Sequence, residues 1–217
     1  MFRKLLNLLF PPKCVLCRQL LTKDETDFCH TCRKNGPEFK KSNLRFSFVA
    51  GWSSVWYYKD TVRSSIQRYK FYGRRNYAGA YGRALAIRLQ KDGFCDFDIL
   101  TYVPTALLRR LWRGYDQAEL LCNAVAEELG VTPVRCLRKI RNTPPQSGIK
   151  DVSRRRANVL GAYRCYNPES LKGKRILLLD DVITTGATVS ECARVLLTAG
   201  AKDVFCASMA VAHYKTK

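Results

Sequence analysis

The sequence is short of long apolar runs and of acidic residues, and each shortage narrows the range of possible functions. No window holds about twenty uncharged apolar residues, so no helix is expected to span a membrane. Only 18 Asp and Glu residues oppose 38 Lys and Arg residues, which gives a formal net charge of +20. An excess of this size indicates either a polyanionic partner, nucleic acid above all, or a surface that serves solubility and phosphorylated small molecules.

Two common nucleotide-binding motifs are also missing. There is no Gly-x-Gly-x-x-Gly and no Gly-Lys-Ser/Thr, which argues against a dinucleotide fold and against a P-loop. The first residues, MFRKLLNLLFPPKC, have an apolar core of about six residues, shorter than that of a secretory signal, and no small-residue cleavage site. We therefore expect this segment to form an amphipathic turn that packs on the body of a cytoplasmic protein.

The chain has 217 residues, which suits one medium domain with a small appendage. We predict an N-terminal helix and zinc ribbon over residues 1–45 and an α/β domain over residues 46–217. In the second unit, strand and helix patterns alternate, which indicates a parallel sheet with helices on both faces. Helices are predicted at 61–71, 77–91, 115–130 and 188–200, and strands within 46–58 and at 98–104, 132–137, 161–166, 175–179 and 203–212. Residues 141–158 are basic, polar and proline-containing, and are predicted to form a long loop.

Four of the ten cysteines form two Cys-x-x-Cys knuckles with eleven residues between them: Cys14, Cys17, Cys29 and Cys32. This spacing lets each knuckle point both thiolates at one ion, and two knuckles complete a tetrahedral, structural Zn²⁺ site. Two disulfides or four unrelated thiols are the alternatives, and a reducing cytosol favours zinc. His30 lies inside the second knuckle and is interpreted as a bystander. The other six cysteines are scattered singly among apolar residues, as buried free thiols are.

The stretch RILLLDDVITTGATVSECARVL, residues 175–196, is the main candidate site. Its apolar run predicts a buried parallel strand, and ligands bind beyond the carboxyl ends of such strands, where Asp180 and Asp181 lie. Ionised carboxylates only accept hydrogen bonds, so a pair of them suits the vicinal hydroxyls of a ribose. The next turn offers hydroxyl groups and free backbone N–H groups at a helix N-terminus, which favour a phosphate. It comprises Thr184, Thr185, Gly186, Ala187 and Thr188. Together these features predict a site for a 5-phosphoribosyl group.

A second basic stretch, QRYKFYGRR, combines aromatic residues with cations. Such interleaving can stack nucleobases and neutralise phosphates. The alternative, which we favour on sequence alone, is that the aromatic residues pack on the sheet while Arg68 and Lys70 lie at the surface.

The segment ILLLDDVITTGAT resembles the 5-phosphoribosyl-1-pyrophosphate (PRPP) binding motif of type I phosphoribosyltransferases. Together with the cysteine knuckles and the segments YKDTVRSSIQRYKFYGRR, VPTALLRRLWRGYDQAELL and TPPQSGIKDVSRRRANVLGAY, it is similar to the ComF competence-protein family over nearly the whole chain. The family's RGFNQ element is present as RGYDQ, with Asp116 in place of asparagine. Its PVP segment is reduced to Val103-Pro104.

The resemblance implies displacement of pyrophosphate from the ribose, with Asp180, Asp181 and Arg113 as the catalytic residues and Mg²⁺ bound together with PRPP. It implies that a closing lid and basic residues contact the pyrophosphate: Arg109, Gln117, Thr143, Gln146, Arg155 and Asn158. Arg110 lies beside this set, and a solvated basic helix face remains the alternative interpretation for Arg109 and Arg110. The loop between Arg141 and Asn158 would be the lid.

Three functions follow as hypotheses. The first is an enzyme or binding protein for PRPP or a related phosphoribosyl ligand, linked to DNA uptake in natural transformation. The second is a single-stranded nucleic-acid-binding competence protein that uses the same pocket without catalysis. The third, a PRPP-sensing regulator, is less favoured because no helix-turn-helix pattern is found. Single-stranded DNA and DNA-uptake proteins are therefore the expected macromolecular partners.

Overall fold

A computed structural model describes residues 10–40, 43–143 and 151–212. The expected N-terminal amphipathic turn and Gln146 lie outside these ranges. The strands are β1 (Gly51–Tyr57), β2 (Ile99–Tyr102), β3 (Leu137–Lys139), β4 (Tyr163–Cys165), β5 (Arg175–Ile183) and β6 (Asp203–Val211). The helices are α1 (His30–Asn35), α2 (Asp60–Phe71), α3 (Tyr77–Asp92), α4 (Leu107–Arg113), α5 (Gln117–Leu129), α6 (Val152–Val159) and α7 (Ala187–Thr198), with a 3₁₀ turn at Pro168–Leu171.

Four strands form a parallel sheet in the order β1-β6-β5-β2. Strand β5 is central, and its apolar run is buried on both sides because alternate residues point to opposite faces. Leu177 and Leu179 pack on the face that α3 and α5 cover, while Ile176 and Leu178 pack on the face that α7 covers. The α/β architecture predicted from the sequence is therefore confirmed.

Helices α3 and α5 approach closely because α3 has a glycine at the contact. A Cβ atom on Gly82 would lie 2.6 Å from the Cβ of Ala124, closer than real carbon atoms come. This close packing places α5 against β2 and β5, so the N-terminus of α5 lies near the carboxyl ends of those strands.

The strand predicted at 132–137 is wrong except at its last residue, since residues 131–136 have no regular secondary structure, and the strand predicted at 161–166 forms but does not join the main sheet. Residues 137–139 and 163–165 pair antiparallel with each other as a separate ribbon. The expectation that 141–158 is entirely loop is wrong, since residues 152–159 form α6. The Asp151 side chain caps this helix by accepting the backbone N–H of Arg154 at 2.7 Å. The loop was predicted because the segment is rich in basic residues, and Asp151 was not recognised as an N-cap residue.

The first cysteine knuckle packs into the core of the larger unit. Cys14, Val15 and Leu16 are buried together with Ile66 of α2 and Tyr81 of α3. In the described ranges, no helix has the length and apolar character needed to cross a bilayer.

Candidate functional site

The four knuckle cysteines converge on one point. Their Sγ atoms all lie within 4.8 Å of one another, and those of Cys17 and Cys29 are 3.6 Å apart. Four sulfurs around one Zn²⁺ at about 2.3 Å would be separated by about 3.8 Å, so the residues fit a tetrahedral zinc site. It is the one group of potential metal ligands found among the described residues, and the exposed side chain of His30 is not part of it.

A cleft of about 510 Å³ opens at the carboxyl ends of β2 and β5. Seven of the predicted site residues line it: Arg109, Arg113, Gln117, Asp180, Asp181, Thr184 and Thr188. Residues that are distant in sequence thus meet at the sheet edge where ligands of open α/β proteins bind.

The two acids at the end of β5 have different surroundings. Asp181 forms an ion pair with Lys70, with 2.8 Å between Oδ1 and Nζ, and both side chains are largely buried (13% and 20% exposed). Asp180 accepts the backbone N–H of Asp181 at 2.8 Å. Burial, and then the charge of Asp181, raise the pKa of Asp180 well above its ordinary value. The pair therefore offers one ion-paired carboxylate and one carboxyl group that holds its proton to higher pH.

The turn after β5 ends in a left-handed residue that begins α7. Gly186 is the N-cap of α7, with φ of 74°. The hydroxyl oxygen of Thr185 accepts the N–H of Ala187 at 3.4 Å. A Cβ atom on Gly186 would overlap the ring of Phe46, so both conformation and contact require glycine. Thr184 and Thr188 line the cleft, whereas the ring of Phe46 packs directly against Gly186.

Two arginines of α4, Arg109 and Arg113, also line the cleft. Arg113 donates from Nη1 to Oε1 of Gln117 at 2.8 Å and lies over the ring of Phe71 at 4.7 Å. Arg109 donates from Nη2 to the carbonyl oxygen of Thr143 at 2.6 Å. Thr143 thus contributes through its backbone, at the last described position before residue 151. Arg110 lies within 3.7 Å of Glu119.

Asp116, which stands where the RGFNQ element has asparagine, is a buried residue that caps the N-terminus of α5. Its Oδ1 accepts the N–H groups of Ala118 and Glu119 at the start of α5, and its Oδ2 accepts the N–H of Thr105 at 2.7 Å. Both oxygens act as acceptors, which an asparagine amide with one oxygen cannot reproduce. Asp116 therefore fixes the loop after β2 to the N-terminus of α5.

The structure does not bring all predicted lid residues to the cleft. Arg155 and Asn158 lie on α6 and are half-buried, and neither lines the cleft. Their assignment to pyrophosphate binding remains a prediction.

Several residues of the cleft were not predicted to be part of it. Five cations line the cleft together with two acids; Arg109 and Arg113 were predicted to do so, whereas Arg63, Lys70 and Lys139 were not. The favoured interpretation of the QRYKFYGRR segment is wrong in part, since Tyr69 is buried but Phe71 is exposed and Lys70 is paired with Asp181. Burial, and then the charge of Arg109, lower the pKa of Lys139. Four of the cleft residues that were not predicted lie on α2, where their helical spacing places them on one face: Arg63, Gln67, Lys70 and Phe71. This spacing was the signal in the sequence that could have identified them.

Helix α4 presents its apolar side to solvent. Trp112 is 75% exposed, and Leu107, Leu108 and Leu111 are similarly accessible, whereas Arg109 and Arg113 line the cleft. Tyr72, which follows α2, is 73% exposed, and the neighbouring Phe71 is 51% exposed. Phe71 lines the cleft, and Tyr72 and Trp112 are next to the cleft-lining residues Phe71 and Arg113 in the sequence; we call these three exposed aromatic residues the rim of the cleft.

Comparisons with known proteins give similarities at three levels. A family model described as a phosphoribosyl transferase domain matches residues 116–217, and one described as a double zinc ribbon domain matches residues 5–42. The chain is 31% identical over 156 residues to DNA utilization protein YhgH of Salmonella typhimurium, covering 70% of this chain and 67% of that protein. It is 27% identical over 196 residues to competence protein ComFC of Bacillus subtilis, covering 86% of this chain and 78% of that protein.

A similarity to a solved structure covers a smaller part. The glutamine phosphoribosylpyrophosphate amidotransferase from B. subtilis matches with a TM-score of 0.44 and 21% identity. The match covers 64% of this chain and 30% of that one, so it extends over less than a third of the larger enzyme.

Proposed function

Because this chain belongs to the ComF competence-protein family, with a double zinc ribbon ahead of a phosphoribosyl transferase domain, we propose that its cleft binds PRPP or a related 5-phosphoribosyl ligand in the course of DNA utilization. The observation that carries this proposal is the meeting of the paired acids, the N-terminal turn of α7 and five cations in one cleft.

Each part of the ligand has a matching part of the cleft. The 5-phosphate takes the N–H groups and hydroxyls of the turn from Thr184 to Thr188. The ribose diol donates to side-chain oxygens of Asp180 and Asp181, which accept hydrogen bonds whether or not Asp180 holds its proton. The pyrophosphate lies toward Arg109 and Arg113, where guanidinium groups pair with its oxygens.

The donor set also suits a ligand that arrives with Mg²⁺. Asp180 and Asp181 are the acidic side chains that line the cleft in the described residues, and Asp181 is already paired with Lys70. Mg²⁺ commonly keeps few protein ligands and is held by substrate phosphates. When bound with PRPP, it would neutralise charge on the departing pyrophosphate.

In a transfer reaction, the lone pair of a nucleophile forms a bond to the ribose C1, and the C1–oxygen bond breaks with its electron pair going to pyrophosphate. The charge that develops on that group is stabilised by cations placed in advance. Arg113 is held by Gln117 and Phe71, so its guanidinium is oriented before the ligand arrives.

Calorimetry with three probes tests the assignment. Asp180→Asn with Asp181→Asn should weaken binding of ribose 5-phosphate and of PRPP with Mg²⁺ without weakening the binding of pyrophosphate, since the change removes acidic charge from the cleft. Arg113→Met should weaken pyrophosphate and PRPP but spare ribose 5-phosphate. The exposed Asp96, at the opposite end of the sheet, supplies the control Asp96→Asn. Absence of PRPP binding at millimolar concentration would remove the proposal, and release of pyrophosphate with a nucleobase acceptor would extend it to catalysis.

The rim of the cleft favours single-stranded DNA binding as a second function. Arg113 lies over the exposed ring of Phe71, and Tyr72 and Trp112, next to these two residues in the sequence, are also exposed. Exposed aromatic rings beside cations can stack bases and neutralise phosphates. Affinity for oligo-dT should fall steeply with salt, by a slope of about 0.7 per neutralised phosphate. Trp112→Ala should weaken it, whereas the corresponding change at exposed Phe48 should not. A flat salt dependence would exclude this function.

A further inference from the structure

Helix α2 lies between the zinc knuckle and the cleft. One face of the helix lines the cleft, through Arg63, Gln67, Lys70 and Phe71. The opposite face is buried, through Val62, Ser65, Ile66 and Tyr69. Positions four, seven and eight residues apart share a helical face, so the helix separates the two environments along its length.

The buried side of α2 holds the backbone of the first knuckle. The Ser65 hydroxyl donates to the carbonyl oxygen of Val15 at 2.5 Å. Arg68 donates from Nη2 to the same oxygen at 3.1 Å and to the carbonyl oxygen of Leu16 at 2.6 Å. Val15 and Leu16 are the two residues between Cys14 and Cys17. An ion that binds both thiolates would therefore constrain the directions of these two carbonyl groups.

The last turn of α2 is also held by residues on the cleft side of the helix. Lys70, two residues beyond Arg68, pairs with Asp181 at 2.8 Å. The Tyr69 hydroxyl donates to the carbonyl oxygen of Gln117 at 2.8 Å, and the Tyr115 hydroxyl donates to the carbonyl oxygen of Tyr69. A single helical turn thus connects the knuckle backbone to an acid of the proposed ribose site.

We propose that Arg68 and Ser65 are positioning residues that transmit the metal-bound geometry of the knuckle to Lys70, so that zinc occupancy sets the affinity of the cleft for phosphorylated sugars. This inference rests on the proposed phosphoribosyl ligand. Without the metal, the two carbonyl oxygens lose their fixed directions, and α2 loses three hydrogen bonds at its buried face. A displacement of about one ångström is enough to break the hydrogen bond within the 2.8 Å ion pair of Lys70 and Asp181, and so to weaken the hold of Lys70 on Asp181 beside Asp180.

Variants that keep the zinc but break the connection test the proposal. Arg68→Gln should retain one zinc per chain and bind PRPP with Mg²⁺ about tenfold more weakly than the wild type. Lys70→Met should cause a similar loss, and the double variant should lose no more than Lys70→Met alone, because both changes remove one connection. Arg68→Lys, which keeps one donor to the carbonyls, should recover part of the affinity.

Arg88→Gln is the matched control. Arg88 also donates to a backbone carbonyl, that of Phe39 at 3.0 Å, but its helix α3 does not line the cleft. This variant should lose stability without losing PRPP affinity. Wild-type affinity in Arg68→Gln, additive losses in the double variant, or an equal loss in Arg88→Gln would each overturn the inference.

Hydrogen exchange without ligand separates this inference from the proposed function. In zinc-loaded Arg68→Gln, amides of residues 68–71 and 180–184 should exchange faster than in the wild type. Zinc removal from the wild type should accelerate the same amides, and should have a smaller further effect in Arg68→Gln. If the wild type binds no PRPP, the proposed function fails, and the exchange pattern still decides the coupling: unchanged rates at residues 180–184 reject it.

Discussion

Replacement of Gly186 by alanine should destabilise the protein for two separable reasons. Alanine in the left-handed region, at φ of 74°, costs about 1 kcal/mol. The new Cβ would also overlap Cδ1 of Phe46, whose buried ring packs against Trp52 with 5.0 Å between centroids. Overpacking of this kind costs about 2 kcal/mol, so we expect a total loss of about 3 kcal/mol in the free energy of unfolding.

Urea denaturation followed by circular dichroism measures this loss, and Gly173→Ala isolates the second cause. Gly173 has φ of 71°, and a Cβ atom added there would meet no other atom within 4 Å, so its replacement should cost about 1 kcal/mol. In a Phe46→Ala background, Gly186→Ala should cost the same small amount, which gives a coupling energy of about 2 kcal/mol between the two sites. Equal losses in Gly186→Ala and Gly173→Ala would refute the reasoning, because the contact with Phe46 would then have no energetic effect.

Three further outcomes are expected. The pKa of Asp180 is raised in the folded protein, whereas in the unfolded chain it is 3.8, so above about pH 4 the folded protein holds a proton that the unfolded chain has released. The free energy of unfolding should therefore fall as the pH rises from about 4. In paired denaturation curves, Asp180→Asn should be more stable than the wild type at pH 8, and the difference should shrink toward pH 4. Burial alone would raise the pKa of Glu191, but hydrogen bonds from Arg194 and from the N–H of Gly161 lower it below 4.5. Glu191→Gln should thus cost about 2 kcal/mol at pH 7, and this cost should shrink as the pH falls below 4.5 and Glu191 becomes protonated in the folded protein; a constant cost down to low pH would contradict the assignment. A strong chelator should release one zinc per chain and lower the melting temperature reversibly, and Cys32→Ser should lose the response to added zinc.

Features whose signal lies in a few neighbouring residues could be predicted from the sequence. The two-residue spacing within each cysteine knuckle defines a metal site locally, and the four Sγ atoms do converge. The apolar run before Asp180 predicts the buried central strand, and the glycine after Thr185 predicts the turn into α7. These inferences needed no knowledge of the tertiary fold.

Features that depend on contacts between distant segments could not be predicted. The ion pair between Lys70 and Asp181 joins a helix to a strand far along the chain, and neither local pattern specifies the other. The same holds for Phe46 beneath Gly186, since an aromatic residue before a strand gives no sign of its partner. The antiparallel pairing of β3 with β4 also escaped prediction, although a strand was predicted around β4, because a strand pattern does not specify the segment with which the strand pairs.

The strand order has a consequence for biosynthesis. Within the parallel sheet, strand β1 pairs with β6, the last strand of the described residues, with Gly51 opposite Phe205 and Tyr57 opposite Val211. Its other edge is bridged by the short segment around Glu38, which lies before it in the chain. As the polypeptide leaves the ribosome, the sheet edge of β1 that faces β6 must wait for nearly the entire remaining domain before it is paired, and such long-range closure is slow. The cysteine knuckles are synthesised before β1 and can bind their ion at once. A folded, metal-bound zinc ribbon is then available to cover β1 during that delay.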